Sequence, residues 1–262
     1  MGEKMESIGY RWPLAAIHGY SNDIDRLESL LAVQYQRWGL EEQELGSIGD
    51  GMIALWQSIA ADSHLPHLLI MAGLHGDAPA GSWAILNFLQ HNSPLLLDKV
   101  RLSFMPLVNL YGLRAGMKFN RHGFDPASGF SGDAPTAEGE ILRAHAQLLA
   151  HAARDGVLWC TEVPQARVAW LCVSDPERTP ALALRDELLQ TFKLCDGPSP
   201  EGDTCRNGLA PLASHGDILH WLSRKTRCSA ARAITPGQAA LEQRIFAHHG
   251  LIGAFIASTL AP

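Results

Sequence analysis

Apolar residues recur every three or four positions across residues 22–38. Ile24, Leu27, Leu30, Leu31 and Val33 share a face there and Asn22 or Asp23 stands ready as a cap, which predicts an amphipathic helix. The period then shortens to two: residues 41–48 and 52–58 read as strands about Gly49-Asp50-Gly51, a hairpin signal. His67 to Gly73 is a short apolar run closed by glycine, the pattern of a strand buried on both faces. The turn 74–79 follows, and Pro79 suits the first turn of a helix reaching about Leu89. Residues 100–107 predict the next strand. Residues 136–152 predict a helix with Thr136 as cap and Ile141, Ala144, Leu148 and Leu149 on one face. Strands at 157–160 and 168–173, a helix at 180–192, a strand at 229–234 and a terminal helix at 238–259 complete the pattern. Residues 109–135 are rich in Gly, Asn, Asp and Pro and lack a period, and an irregular segment this long in a compact domain signals function.

Strands alternating with helices imply a single α/β domain over 1–262. The expected sheet is mixed, mostly parallel and twisted, with helices on both faces; the core lies in 65–258 and residues 1–60 add the first helix and hairpin. In such folds ligands sit beyond the carboxyl ends of the strands, which points to the turn 74–79.

Composition narrows the function classes. The net charge is −6 and Lys and Arg are scattered without an aromatic-interleaved basic run, so nucleic-acid binding has no electrostatic footprint. The start of the chain has no apolar leader after a basic stretch, and no apolar run approaches the ~18 residues of a membrane span. The five cysteines, Cys160, Cys172, Cys195, Cys205 and Cys228, are dispersed with no Cys-x-x-Cys pair. They read as free thiols of a cytoplasmic protein, with Cys160 as a buried small residue rather than a nucleophile. Ser214-His215-Gly216-Asp217 reads as a turn, and His248-His249 as surface decoration.

Four motifs carry the chemistry. Gly73-Leu74-His75-Gly76-Asp77-Ala78-Pro79-Ala80-Gly81 sits between the buried strand and its helix. Val108-Asn109-Leu110-Tyr111-Gly112 leads to Lys118-Phe119-Asn120-Arg121-His122-Gly123-Phe124-Asp125-Pro126-Ala127-Ser128. A strand ends in Leu158-Trp159-Cys160-Thr161-Glu162-Val163, and another in Ala233-Ile234-Thr235-Pro236-Gly237. In this order, over about residues 65–258, they resemble the motifs of the zinc carboxypeptidase superfamily, in particular its succinylglutamate desuccinylase, aspartoacylase and murein-peptide amidase branch. The resemblance implies zinc held by His75 and by residues at 78 and 161, a general base at 234, and a carboxylate clamp at 127–128. It also implies substrate-pocket roles for Asn109, Lys118, Asn120, Arg121, Asp125 and Ser128. Of the metal set, His75 and Glu162 remain. Ala78, Thr161 and Ile234 stand where ligands and base belong, and Ala127-Ser128 replaces the Asn-Arg clamp.

A catalytic zinc needs about three protein ligands and a water, whose proton a neighbouring carboxylate accepts. Alanine and isoleucine offer no lone pair. The expectation is therefore a non-catalytic, carboxypeptidase-like pseudoenzyme without a cofactor. It would bind a protein partner, such as an active relative in a hetero-oligomer, or a small peptide or amino-acid-like ligand. Two alternatives stand beside it. One is a remodelled zinc hydrolase acting on small peptides or N-acyl amino acids, with a site drawn from His75, Asp77, His122, Cys160 and Glu162. The other is a sensor whose Lys118, Arg121 and His122 grip an anion. Asp77 is expected to brace its turn and point away from the metal position.

Overall fold

The computed structural model describes residues 22–49, 51–59, 64–130, 136–212 and 217–261. The first residues, on which the expectation about a leader falls, Asp50 of the hairpin and Ser214, His215 and Gly216 lie outside the described residues. Helix α1 (Ile24–Trp38) begins where Asp23 accepts from Arg26 N–H at 3.1 Å. It ends at Gly39, whose left-handed φ of 61° a side chain would strain. The hairpin β1 (Leu40–Ile48) and β2 (Gly51–Ser58) is antiparallel, with an irregularity between Glu44 and Gly46. Then come β3 (His67–Met71), α2 (Ala80–His91), β4 (Arg101–Met105), α3 (Leu110–Ala115), α4 (Ala137–Ala144), α5 (Ala146–Ala152), β5 (Gly156–Val163), β6 (Trp170–Val173) and α6 (Thr179–Thr191). The short strands β7 (Gly197–Pro198), β8 (Thr204–Cys205) and β9 (Leu209–Pro211) precede α7 (Ile218–Thr226), β10 (Ser229–Pro236) and α8 (Leu241–Leu260).

Eight strands form one sheet in the order β1-β2-β4-β3-β5-β10-β6-β9. Its centre, β4-β3-β5-β10, is parallel; β2 joins β4, and β6 joins β10, antiparallel. Strand β3 is buried at all five positions because its alternation serves two cores. Leu68 and Ile70 meet α1, α2, α6 and α8 on one face, through Leu27, Trp83, Leu184 and Phe255 among others. Leu69 and Met71 meet Leu142 of α4, Leu149 of α5 and Leu219 of α7 on the other. This is the mixed, mostly parallel α/β domain expected from the periodicity. No helix among the described residues is long and apolar enough to cross a membrane.

Some elements differ from expectation. The helix anticipated over 136–152 is interrupted at His145, whose backbone leaves the helical region and whose Nδ1 lies 3.0 Å from the Ile141 carbonyl. The segment 109–135 is not wholly irregular: it holds α3 and a 3₁₀ turn at Ser128–Phe130. Helix α7, which buries Ile218, Leu219 and Leu222 on one face, and strands β7 to β9 lie where no element was expected. His248 is not surface decoration. It is fully buried on α8, with Nε2 3.1 Å from the Thr161 carbonyl and 3.1 Å from Thr235 Oγ1.

Candidate functional site

The site is built at the carboxyl ends of β3, β5 and β10. Beyond β3 the chain turns at Gly73, with φ +70°, and a Cβ there would lie 2.4 Å from the Pro106 carbonyl oxygen. Val108 and Asn109 N–H both donate back to the Gly73 carbonyl. At Gly76 a Cβ would come within 1.9 Å of the Gly112 backbone, so two turns meet there through bare backbone. His75 is held between these two glycines.

His75 Nε2 lies 3.0 Å from Asp125 Oδ1, Lys118 Nζ lies 3.2 Å from Asp125 Oδ2, and Ala127 N–H donates to Oδ1 at 2.9 Å. Burial alone would raise the Asp125 pKa, but the His75 hydrogen bond and charge, the Lys118 ammonium and the Ala127 N–H hold it well below the usual carboxylate range. An ionised Asp125 holds a proton on Nε2 of His75, so that the neutral ring carries its lone pair on Nδ1. The His75 ring meets the Trp159 edge at a centroid distance of 5.5 Å, and the Arg232 guanidinium lies 4.7 Å from the centre of the Trp159 ring.

Glu162 is a different kind of residue from the free metal donor that the resemblance allows. It is 2% exposed. Its Oε1 accepts from Ala80 N–H at 2.8 Å, capping α2, which has no side-chain cap at Pro79; its Oε2 pairs with Arg244 of α8. Burial pushes its pKa up, against the pull of Arg244 and the Ala80 N–H. Behind it His248 binds the Thr161 carbonyl, while Thr161 Oγ1 is buried with no hydrogen-bond partner among the described residues. Ala78 is 1% exposed, and Ile234 is enclosed by Val163, Ala166 and Trp170. Cys160 is fully buried, and burial drives its thiol pKa above the ordinary range, which suits a packing residue.

A cleft of about 420 Å³ opens over these residues, lined by His75, Asp77, Lys118, Glu162, Gln165 and Glu201. Glu201 arrives on the loop between β7 and β8, which Trp170 Nε1 anchors by donating to Asp203 at 3.0 Å. Asp77 faces this cleft rather than away from it, and burial raises its pKa while the charges of His75 and Lys118 lower it. The substrate-pocket positions separate. Asn109 and Asn120 are buried turn-formers. Asn109 accepts from Gly112 N–H and donates to the Lys118 carbonyl; Asn120 accepts from His122 and Phe124 N–H. Ser128 donates to the Asp125 carbonyl from an exposed turn. Lys118 lines the cleft, whereas Arg121 lines a second cavity with Glu138, so the joint anion grip expected of Lys118, Arg121 and His122 does not form. Arg244, the counter-ion of Glu162, is absent from the sequence expectations; its setting on the terminal helix carries no signal of that role.

The architecture has solved counterparts. A "putative metallopeptidase" from Shewanella denitrificans OS217 is 39% identical, with a TM-score of 0.85 over 90% of each chain. One from Shewanella baltica OS155 is 35% identical, with a TM-score of 0.86 over 90% of this chain and 92% of that one. The chain belongs to the zinc-carboxypeptidase superfamily. A metallo-carboxypeptidase from Burkholderia cenocepacia, 15% identical, shares the superfamily fold with a TM-score of 0.68 over 89% of this chain and 68% of its own. A scan against family models and a search of curated proteins each returned no match. The donor set does not fit the superfamily's zinc. His75 Nδ1 remains as one donor, but Glu162 is committed to Arg244 and α2, and positions 78 and 234 are buried hydrocarbon. Among the described residues no three His, Cys, Asp or Glu side chains converge as metal ligands.

Proposed function

We propose that this member of the superfamily binds rather than hydrolyses, serving as a carboxypeptidase-like pseudoenzyme that recognises a protein partner or a small amino-acid-like ligand. One observation carries the reading: the carboxylate beside the expected third ligand is built into the framework, as the cap of α2 and the counter-ion of Arg244. Recovering it as a donor would leave a largely buried guanidinium and a helix N-terminus unpaired, which costs on the order of several kcal/mol. An active relative of the same fold is the natural protein partner, forming a hetero-oligomer.

The test is elemental analysis of the purified chain together with amidase assays on dipeptides, N-acyl amino acids and murein peptides. The expected result is well under one zinc per chain and no chelator-sensitive hydrolysis. One tightly held zinc per chain, with hydrolysis that chelation abolishes and zinc restores, overturns the proposal. A second reading, a remodelled metal hydrolase, draws support from the Asp125-braced His75 Nδ1 and from Asp77 in the same cleft.

A further inference from the structure

A second cavity, of about 380 Å³, lies apart from the cleft between the end of β1, α3 and the start of α4. Its volume falls near the low end of the ~300–1,000 Å³ of small-molecule sites. Its apolar lining comes from Ile48, Val108 and Leu110; its charged groups include Arg121, exposed, and Glu138, 3% exposed. Glu138 Oε2 accepts from Asn120 Nδ2 at 2.8 Å, and among the described residues no cation pairs with this carboxylate. Arg121 makes no ion pair among the described residues either, although it shares the cavity with Glu138. Arg114, the other guanidinium here, is already paired with Asp25 at 2.9 Å. A buried carboxylate with one neutral donor is costly unless a cation completes it. The cavity thus presents a buried cation-seeking group, an exposed anion-seeking group and a hydrocarbon lining.

We infer that this cavity is a binding site for a small zwitterion with an apolar body, namely a free α-amino acid with an aliphatic side chain. Glu138 takes the ammonium, Arg121 the carboxylate, and Ile48, Val108 and Leu110 the side chain. The inference does not rest on the cleft being inactive, since the two cavities share no lining residue.

Calorimetric titration of the full chain with L-leucine, N-acetyl-leucine and leucinamide tests it. Saturable binding of leucine is expected, weakened at least tenfold for each analogue, because one lacks the cation and the other the anion. Arg121→Ala should abolish the preference for leucine over leucinamide, and Glu138→Gln, which keeps an acceptor for Asn120, the preference over N-acetyl-leucine. If Glu138→Gln does not fold, the exposed Arg121→Ala carries the test alone. Absence of leucine binding, binding of either analogue as tight as that of leucine, or binding lost with Lys118→Ala but kept with Arg121→Ala overturns the assignment. The last outcome would place the ligand in the cleft.

Discussion

The two walls of the cleft, one carrying His75 and the other Glu162, have diverged. On the His75 wall the polar chain Lys118–Asp125–His75 remains half-open to the cleft and keeps an imidazole nitrogen unspent. On the Glu162 wall the retained groups are spent on the framework: the carboxylate caps α2 and pairs with Arg244, His248 ties α8 to β5, and Ile234 closes the gap with hydrocarbon. A group that faces solvent can stay poised for a ligand at little cost to folding. A group that has become the sole partner of buried charge and backbone belongs to the core and contributes to stability. The walls should therefore respond differently to truncation and to acid.

The largest separation is expected from truncation. Glu162→Ala leaves Arg244, 15% exposed, without its counter-ion and the Ala80 N–H without an acceptor; about 3–5 kcal/mol should be lost in urea unfolding. His75→Ala leaves Asp125 its Lys118 and Ala127 partners and should cost about 1–2 kcal/mol. Equal losses, or a reversed order, would break the distinction between a structural wall and a poised one.

Acid gives the next effect. Burial pushes His248 down to a pKa of about 3, so the native state holds it neutral while the unfolded chain protonates it near pH 6.5. The unfolded state then binds the extra proton. The stability from a neutral His248 is complete above pH 6.5 and falls by up to ~1.4 kcal/mol per pH unit as pH drops towards 3, or about 2 kcal/mol at pH 5. His67, lowered to about 3 by burial and by Arg101, adds a parallel slope. The diagnostic is thus the difference between the wild type and His248→Gln. That difference should narrow steadily from pH 6.5 to pH 4.5; a constant difference would show that His248 titrates normally and that α8 is not clamped as the geometry has it.

The framework was legible in the sequence because its signals are local. The continuous apolar run at 67–73 and the 3.6-residue period of 22–38 each specify an element without reference to the rest of the chain. The four-motif frame likewise located the cleft, since backbone close approaches such as Gly76 against Gly112 fix where the turns meet. What the retained side chains do was not legible. Glu162 reads the same whether it faces water, a metal or Arg244, and Arg244 lies 82 residues away. Lys118 and Arg121 are three residues apart but serve different cavities, because the chain between them is turned over by Asn120, which accepts from two backbone N–H groups. Strands as short as β7 to β9 have no periodicity to read; their place depends on what they pack against.

The smallest expected effect is the sharpest test of the open wall. The Asp125 pKa is depressed, so the native state resists protonation and the unfolded chain takes the proton first, near pH 4. The stability this carboxylate contributes is fully present above about pH 4 and is lost as pH falls below it. Asp125→Asn keeps the shape, can still accept from Ala127, and gives up the charge facing His75 and Lys118. It should cost about 1–2 kcal/mol at pH 7, the scale of a charge-assisted hydrogen bond. The two proteins should converge in stability below pH 4, whereas His248→Gln already shows its convergence above pH 4.5. If Asp125→Asn costs nothing at pH 7, or a cost persists undiminished at pH 3, then Asp125 serves by shape alone. His75 would then have no ionised carboxylate fixing its tautomer, and its Nδ1 would no longer be the nitrogen offered to the cleft.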